Sequence, residues 1–175
     1  MKTQLLSLSA TLIFLSPLTF ADPIAIENDQ IDYPAFLTLA GEVHPYREDR
    51  RLTVDEFLEM AKDEGTLILD TRSKANYDLK HIEGAVHLNF SEITTRDLER
   101  VVPSKDTRIL IYCNNNFRNN SPAFVSKSGP LALNIPTFIT LYGYGYKNIY
   151  ELGSVIDEDN SPLKFGSNLT SAPQP

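Results

Sequence analysis

Short, continuously apolar runs recur along this chain, separated by amphipathic or polar stretches. Thr66 to Asp70 reads TLILD, Ala85 to Phe90 AVHLNF, Arg108 to Cys113 RILIYC, and Lys147 to Leu152 KNIYEL. Runs that are hydrophobic without alternation predict strands buried on both faces. The stretches between them carry helix signals. In TVDEFLEMAKDEG, Thr53 and Glu56 form a capping box, Val54, Phe57, Leu58 and Ala61 make a helical stripe, and Gly65 supplies a stop, which predicts a helix of about three turns. Ser73 caps SKANYDLK, Ser91 caps SEITTRDLERVV, and IPTFITLYGYG is helical with Pro136 as an early helical residue. Strands alternating with helices in this order predict an α/β domain with a mainly parallel central sheet and helices on both faces. Ligands of such sheets bind beyond the carboxyl ends of the strands. The most apolar strand, RILIYC, ends there on Cys113.

The flanks read differently. Residues 1–21 (MKTQLLSLSATLIFLSPLTFA) place one early Lys2 before an apolar run from Leu5 to Phe20, broken by hydroxyl residues and Pro17, with small residues before Asp22. This is the pattern of a secretory signal peptide, and it predicts a periplasmic or secreted protein. Residues 22–50 have scattered apolar positions without a strong period and end in the charged YREDRR, which predicts an N-terminal extension packed on the domain. The domain itself spans 51–156. Within it, residues 119–134 are rich in Ser, Asn, Gly and Pro and lengthen the connection after the cysteine. The polar tail, 157–175, is expected either to wrap the surface or to stay disordered.

Charge narrows the partners. The chain of 175 residues carries 16 Lys and Arg against 23 Asp and Glu, a net charge of −7; without the leader's Lys2 it is 15 against 23, or −8. Such a balance argues against nucleic acid and, once the leader is cleaved, against anionic membrane surfaces. Any anion site must therefore build its positive potential locally. The single cysteine excludes an internal disulfide, so Cys113 is either buried filler or a working group. A chain leaving a buried strand through a sharp turn points consecutive N–H groups inward as an anion-binding nest, and asparagine tolerates the backbone such turns need. Those groups, a following helix N-terminus and Arg118 would favour thiolate at Cys113. The three histidines, His44, His81 and His87, have no metal-ligand spacing, and no metal or organic cofactor is expected.

Two motifs resemble the rhodanese family of sulfurtransferases. The first is DTRSKANYDLKHIEGA, Asp70 to Ala85, which is similar to the family's Asp-x-Arg followed by an aromatic and His-Ile-x-Gly-Ala; the second is a strand ending on Cys113 with Arg118 five positions on. The resemblance spans about residues 51–156 and implies a single rhodanese-like domain. It implies that Cys113 is the nucleophile that becomes a persulfide, and that Asn114, Asn115, Asn116, Phe117 and Arg118 cradle the substrate, with Arg118 closing the loop. It further implies that Asp70 and Arg72 are supporting residues, and that His81 and Gly84 shape a turn. The donor would be a small sulfur-containing anion such as thiosulfate, and the acceptor an external thiol or cyanide. A protein partner is conceivable through the 119–134 insertion. The chain departs from the family pattern at Asn116, where glycine is frequent, at Asn119, where a small hydroxyl residue is frequent, and at Asn114, where a basic residue is frequent; ELGSV also lacks the usual paired glycines. Two rivals share the fold. Cysteine phosphatases and arsenate reductases use a loop one residue longer, whereas four residues separate Cys113 from Arg118 here. A non-catalytic module would use the same pocket to bind a small anion or a protein.

Overall fold

Buried strands with no polar face pair best in the middle of a sheet, and the two most apolar runs lie side by side there. The computed structural model describes residues 28–118 and 121–169. The chain divides into two units, 1–32 and 33–175. Of the first, the described part is a turn closed by Ile31 N–H donating to Asn28 O at 3.2 Å; the leader, residues 1–21, lies outside the described residues.

The second unit runs α1 (Tyr33–Glu48), β1 (Arg51–Leu52), α2 (Val54–Ala61), β2 (Thr66–Asp70), α3 (Lys74–Leu79), β3 (His81–Ile82), β4 (Val86–His87), α4 (Thr95–Val101), β5 (Arg108–Tyr112), α5 (Asn134–Gly143), β6 (Ile149–Leu152) and β7 (Phe165–Gly166). Five strands form a sheet in the order β1-β6-β5-β2-β4, parallel at every pairing. β3 and β7 make a separate antiparallel pair. Strand parity sorts the core. Leu69, Ile109, Ile111 and Ile149 face Val43 of α1, Leu98 of α4 and Phe138 and Leu141 of α5. Leu110, Tyr112 and Leu152 face the opposite way, onto Phe57 of α2 and Tyr77 of α3. This is the α/β arrangement with both faces covered.

Several local expectations change. The region expected to lack a strong period holds α1, sixteen residues long with Pro45 inside it, which packs on α5. AVHLNF pairs only at Val86–His87, because Phe90–Glu92 turn into a 3-10 segment. The helix expected after Ser91 begins later, capped by Thr94, whose hydroxyl donates to Asp97 Oδ2 at 2.6 Å and accepts from Asp97 N–H at 3.2 Å. The described part of the tail, residues 157–169, lies against the domain, the first of its two expected states. Its Leu163 is buried, its Glu158 meets Lys80 at 2.9 Å, and β7 lies on β3.

Candidate functional site

β5 delivers Cys113 to the carboxyl end of the sheet, on the face shared by Ile109 and Ile111 and therefore toward α5. The cysteine is extended, at φ −147°, and only 1 % exposed. The backbone N–H groups of Asn134, Asn115 and Leu133 favour its thiolate form. One comes from the loop and two from the start of α5, which the insertion brings back across the strand end. The expected low-pKa thiolate is not what results. Burial pushes the thiol above its ordinary value, outweighing the three N–H groups, and the Glu151 carboxylate adds to the rise. Two consequences are measurable. Alkylation of Cys113 should climb about tenfold per pH unit through neutrality and level off only above pH ~8.5, the free-thiol value. A group whose folded pKa is raised contributes stability fully present below its unfolded pKa and lost as pH rises through the folded one. The denaturation midpoint should thus fall above pH ~8.5 more steeply than that of Cys113→Ala; a plateau of alkylation near pH 7 would refute the raised pKa.

The asparagines form a 3-10 turn, Asn114–Asn116, a right-handed conformation that needs no left-handed residue. Asn116 is its hub. Asn116 Oδ1 accepts Cys113 N–H at 2.8 Å, while its Nδ2 donates to Leu152 O at 2.6 Å and Ser154 O at 3.1 Å. This side chain, rather than a glycine's freedom, ties the loop to the end of β6. Asn115 reaches the insertion: its Nδ2 donates to Lys127 O at 2.6 Å and its Oδ1 accepts Lys127 N–H at 3.0 Å. Asn114 is 8 % exposed, and its Oδ1 has no partner among the described residues.

Phe117 and Arg118 end the loop whose backbone is expected to form the cradle. Phe117 is 1 % exposed and stacks on Phe124 of the insertion with centroids 3.9 Å apart, edge-on to Tyr112 and Phe165; its apolar ring joins the core instead of lining a substrate pocket. Arg118 is exposed. Its backbone N–H donates to Ile156 O at 2.8 Å, next to the Phe117–Ile156 bridge, which fixes the backbone where it leaves the turn. Residues 121–133 form a strap, fastened by Asn115 to Lys127, by the Phe117–Phe124 stack and by Arg72, which donates to Ala123 O at 2.8 Å.

Asp70 and Arg72 lie at the end of β2 and are both buried. Arg72 Nη2 and Nε donate to the Asp70 carboxylate at 2.6 and 3.0 Å, and Nη2 also reaches Lys80 O at 2.7 Å. Tyr112 completes the group by donating its hydroxyl to Asp70 Oδ2 and accepting Ile82 N–H at 3.1 Å. Burial, then the Asp70 charge, pushes that phenol well above its ordinary value, so it keeps its proton. Tyr112 was legible only as an apolar residue of β5; its hydroxyl role needs the fold. His81 stacks on Tyr77 at 4.0 Å, with Nδ1 against Tyr77 O at 2.7 Å. Gly84, at φ +81°, makes the following turn. No cluster able to hold a metal ion occurs among the described residues.

The profile of the rhodanese-like domain matches residues 53–153. A tRNA uridine(34) hydroxylase of Streptococcus sanguinis (strain SK36) is 36% identical over 70 residues, which cover 38% of this chain and 21% of that protein. The tRNA uridine(34) hydroxylase of Onion yellows phytoplasma (strain OY-M) is 36% identical over 84 residues, 45% of this chain and 27% of that protein. The matched stretch is thus between a fifth and three tenths of the length of these curated relatives. Among solved structures, the BH2092 protein of Bacillus halodurans aligns with a TM-score of 0.47 at 17% identity, covering 75% of this chain and 87% of that one. The rhodanese-like domain of the Alr3790 protein from Anabaena sp aligns with a TM-score of 0.47 at 16% identity, covering 72% and 86%.

Proposed function

Because the chain belongs to the rhodanese-like domain family, we propose that it is a sulfurtransferase that carries a sulfane sulfur on Cys113. The observation that supports this best is the placement of Cys113 at the carboxyl end of the central strand, where the backbone N–H groups of Asn115, Leu133 and Asn134 favour its thiolate. Cys113 attacks the sulfane sulfur of a donor such as thiosulfate or a persulfide, and the N–H groups of Asn115, Leu133 and Asn134 stabilise charge that develops there. The cysteine persulfide then passes its outer sulfur to cyanide or a thiol. With one cysteine in the chain, the acceptor is external. Asp70, Arg72 and Tyr112 hold the ends of β2 and β5 and the strap, and they act through the loop's position rather than on the sulfur. The 21-residue leader, on this reading, directs the protein out of the cytoplasm and is removed before Asp22.

The tRNA chemistry named for the curated relatives is not carried over, since the matched stretch is a small part of those proteins and a charge of −7 opposes a polyanionic partner. One specific observation favours a second reading, a binding module without turnover: the thiol is covered, and burial raises its pKa.

Intact mass after exposure to thiosulfate and to a hydropersulfide distinguishes the two. The sulfurtransferase gains one sulfur that cyanide removes, and Cys113→Ser gains none. The same spectrum, from protein made in an export-competent host, should show a chain starting at Asp22. A reduced thiol that takes up sulfur from neither donor would leave the binding module as the reading.

A further inference from the structure

The charged run YREDRR, Tyr46 to Arg51, and the repeat YGYGYK, Tyr142 to Lys147, meet at the amino end of the sheet. Tyr46 and Arg50 of the first, Lys147 of the second, and Lys105, Asp106 and Tyr150 line one pocket there. Lys105 and Asp106 come just before β5 and Lys147 just before β6, so the pocket lies at the opposite end of β5 from Cys113. Its walls are pinned to one another. The Tyr46 hydroxyl donates to Lys147 O at 2.6 Å, and Asn148 Nδ2 donates to Asp106 O at 3.0 Å.

The cations around this pocket fall into two groups. Arg47 and Arg51 pair with Glu151, and Arg108 pairs with Asp63. Arg50, Lys105 and Lys147 form no ion pair among the described residues and rest on aromatic rings instead. The Arg50 guanidinium is 4.1 Å from the Tyr46 centroid and 5.1 Å from that of Tyr150; Lys105 Nζ is 3.8 Å from the centroid of Tyr146, and Lys147 Nζ lies over Tyr142. Each ammonium also gives a hydrogen to a carbonyl at the end of α5, Lys105 to Tyr144 O and Lys147 to Tyr142 O, both at 2.9 Å. That caps the helix and leaves further donors on both. Contacts to ring faces hold the Arg50 guanidinium without using its N–H groups, and a guanidinium so held is prepared to take an oxyanion through two bonds.

Opposing charge is sparse. Asp106 is the carboxylate of the lining, and Glu42 of α1 is felt at Lys147. Burial nonetheless pushes the Lys147 ammonium below its ordinary value, with Glu42 offsetting part of the effect. In a chain of net charge −7, three unpaired cations gathered at one pocket make the local positive potential that an anion needs. Three cations facing one carboxylate suit a ligand with at least two negative charges.

Independently of sulfur transfer, we propose that this pocket is a second anion site, separate from Cys113, that takes a phosphate-type oxyanion of at least two negative charges. Arg50 binds the anion through its free N–H groups, and Lys105 and Lys147 supply charge and further hydrogen bonds.

Isothermal titration of the full chain with inorganic pyrophosphate in low-salt buffer tests this, with sodium chloride of equal ionic strength as the blank. One site per chain is expected. Arg50→Gln should weaken it at least about tenfold, the scale of one charge-assisted hydrogen bond. Arg50→Lys, which keeps the charge but not the planar fork, should recover only part of that loss, and Lys147→Gln should weaken binding as well. Heat no greater than the blank, binding undiminished by the Arg50 and Lys147 variants, or binding abolished by alkylating Cys113 would overturn the assignment, the last by placing the anion in the cysteine loop. Should Arg50→Gln not fold, Lys147→Gln, at an exposed position, and the alkylated parent decide the matter.

Discussion

Replacing Arg72 by alanine should destabilise the protein by about 3–5 kcal/mol, the loss typical when one member of a buried ion pair is removed and the other stays behind. Asp70 is 0 % exposed. Without Arg72 it would keep one strong partner, the Tyr112 hydroxyl, and the bond from its own loop, Arg72 N–H at 2.9 Å. The carbonyls of Lys80 and Ala123 would lose their donors in the same step, and the stacking of the guanidinium 4.5 Å from the Phe124 centroid would vanish. A urea titration of both proteins reads the difference. Because Ala123 and Phe124 belong to the strap, alkylation of Cys113 should also quicken in the variant at fixed pH. A midpoint shift worth less than about 1 kcal/mol, the value of an exposed ion pair, would mean that the network does not hold the loops as described.

The second large effect concerns Asn116. Glycine is frequent at this place in the family the chain resembles, so Asn116→Gly restores the common residue and would relieve strain if the asparagine were a poor substitute. The opposite should be found, a loss of about 2–4 kcal/mol, from a buried N–H left unmatched at Cys113 and two carbonyls, of Leu152 and Ser154, left without their donor. Thermal unfolding at one pH checks the sign. A variant as stable as the parent would show that the turn is held by its backbone alone.

Both residues illustrate what could be read from the chain and what could not. TLILD and RILIYC were legible as central strands because burial on both faces leaves no alternation to misread. The Thr53 and Ser73 caps were legible because their partners lie three residues away. Local signals misled where two of them competed. In SEITTRDLE both Ser91 and Thr94 offer caps, and the reciprocal bonding of Thr94 with Asp97 wins. Cys113 and its turn were located by the strand end and by the two motifs, but the protonation state of the thiol was not. It depends on the strap and on Glu151, neither of which is near Cys113 in sequence. The core packing of the Phe117 ring was not legible because its stacking partners, Phe124 and Phe165, come from an irregular connection and a polar tail. Asn134, whose Nδ2 donates to Asn116 Oδ1 at 3.3 Å, carried no signal, since its partner lies eighteen residues away in the cysteine loop.

The strand order also dictates when the molecule can come together. β1, the first strand made, has β6 as its only partner in the sheet, and α1 rests on α5. The first twenty residues of the second unit, α1 and β1, therefore dock only once α5 and β6 have been made. Closure of the sheet is a late, long-range event, the kind that loop entropy makes slow. A nascent chain ending before β6 would pair β2, β4 and β5 but leave one flank of β5 open, and the Cys113 loop would take shape only once β6 supplies the carbonyl that Asn116 binds.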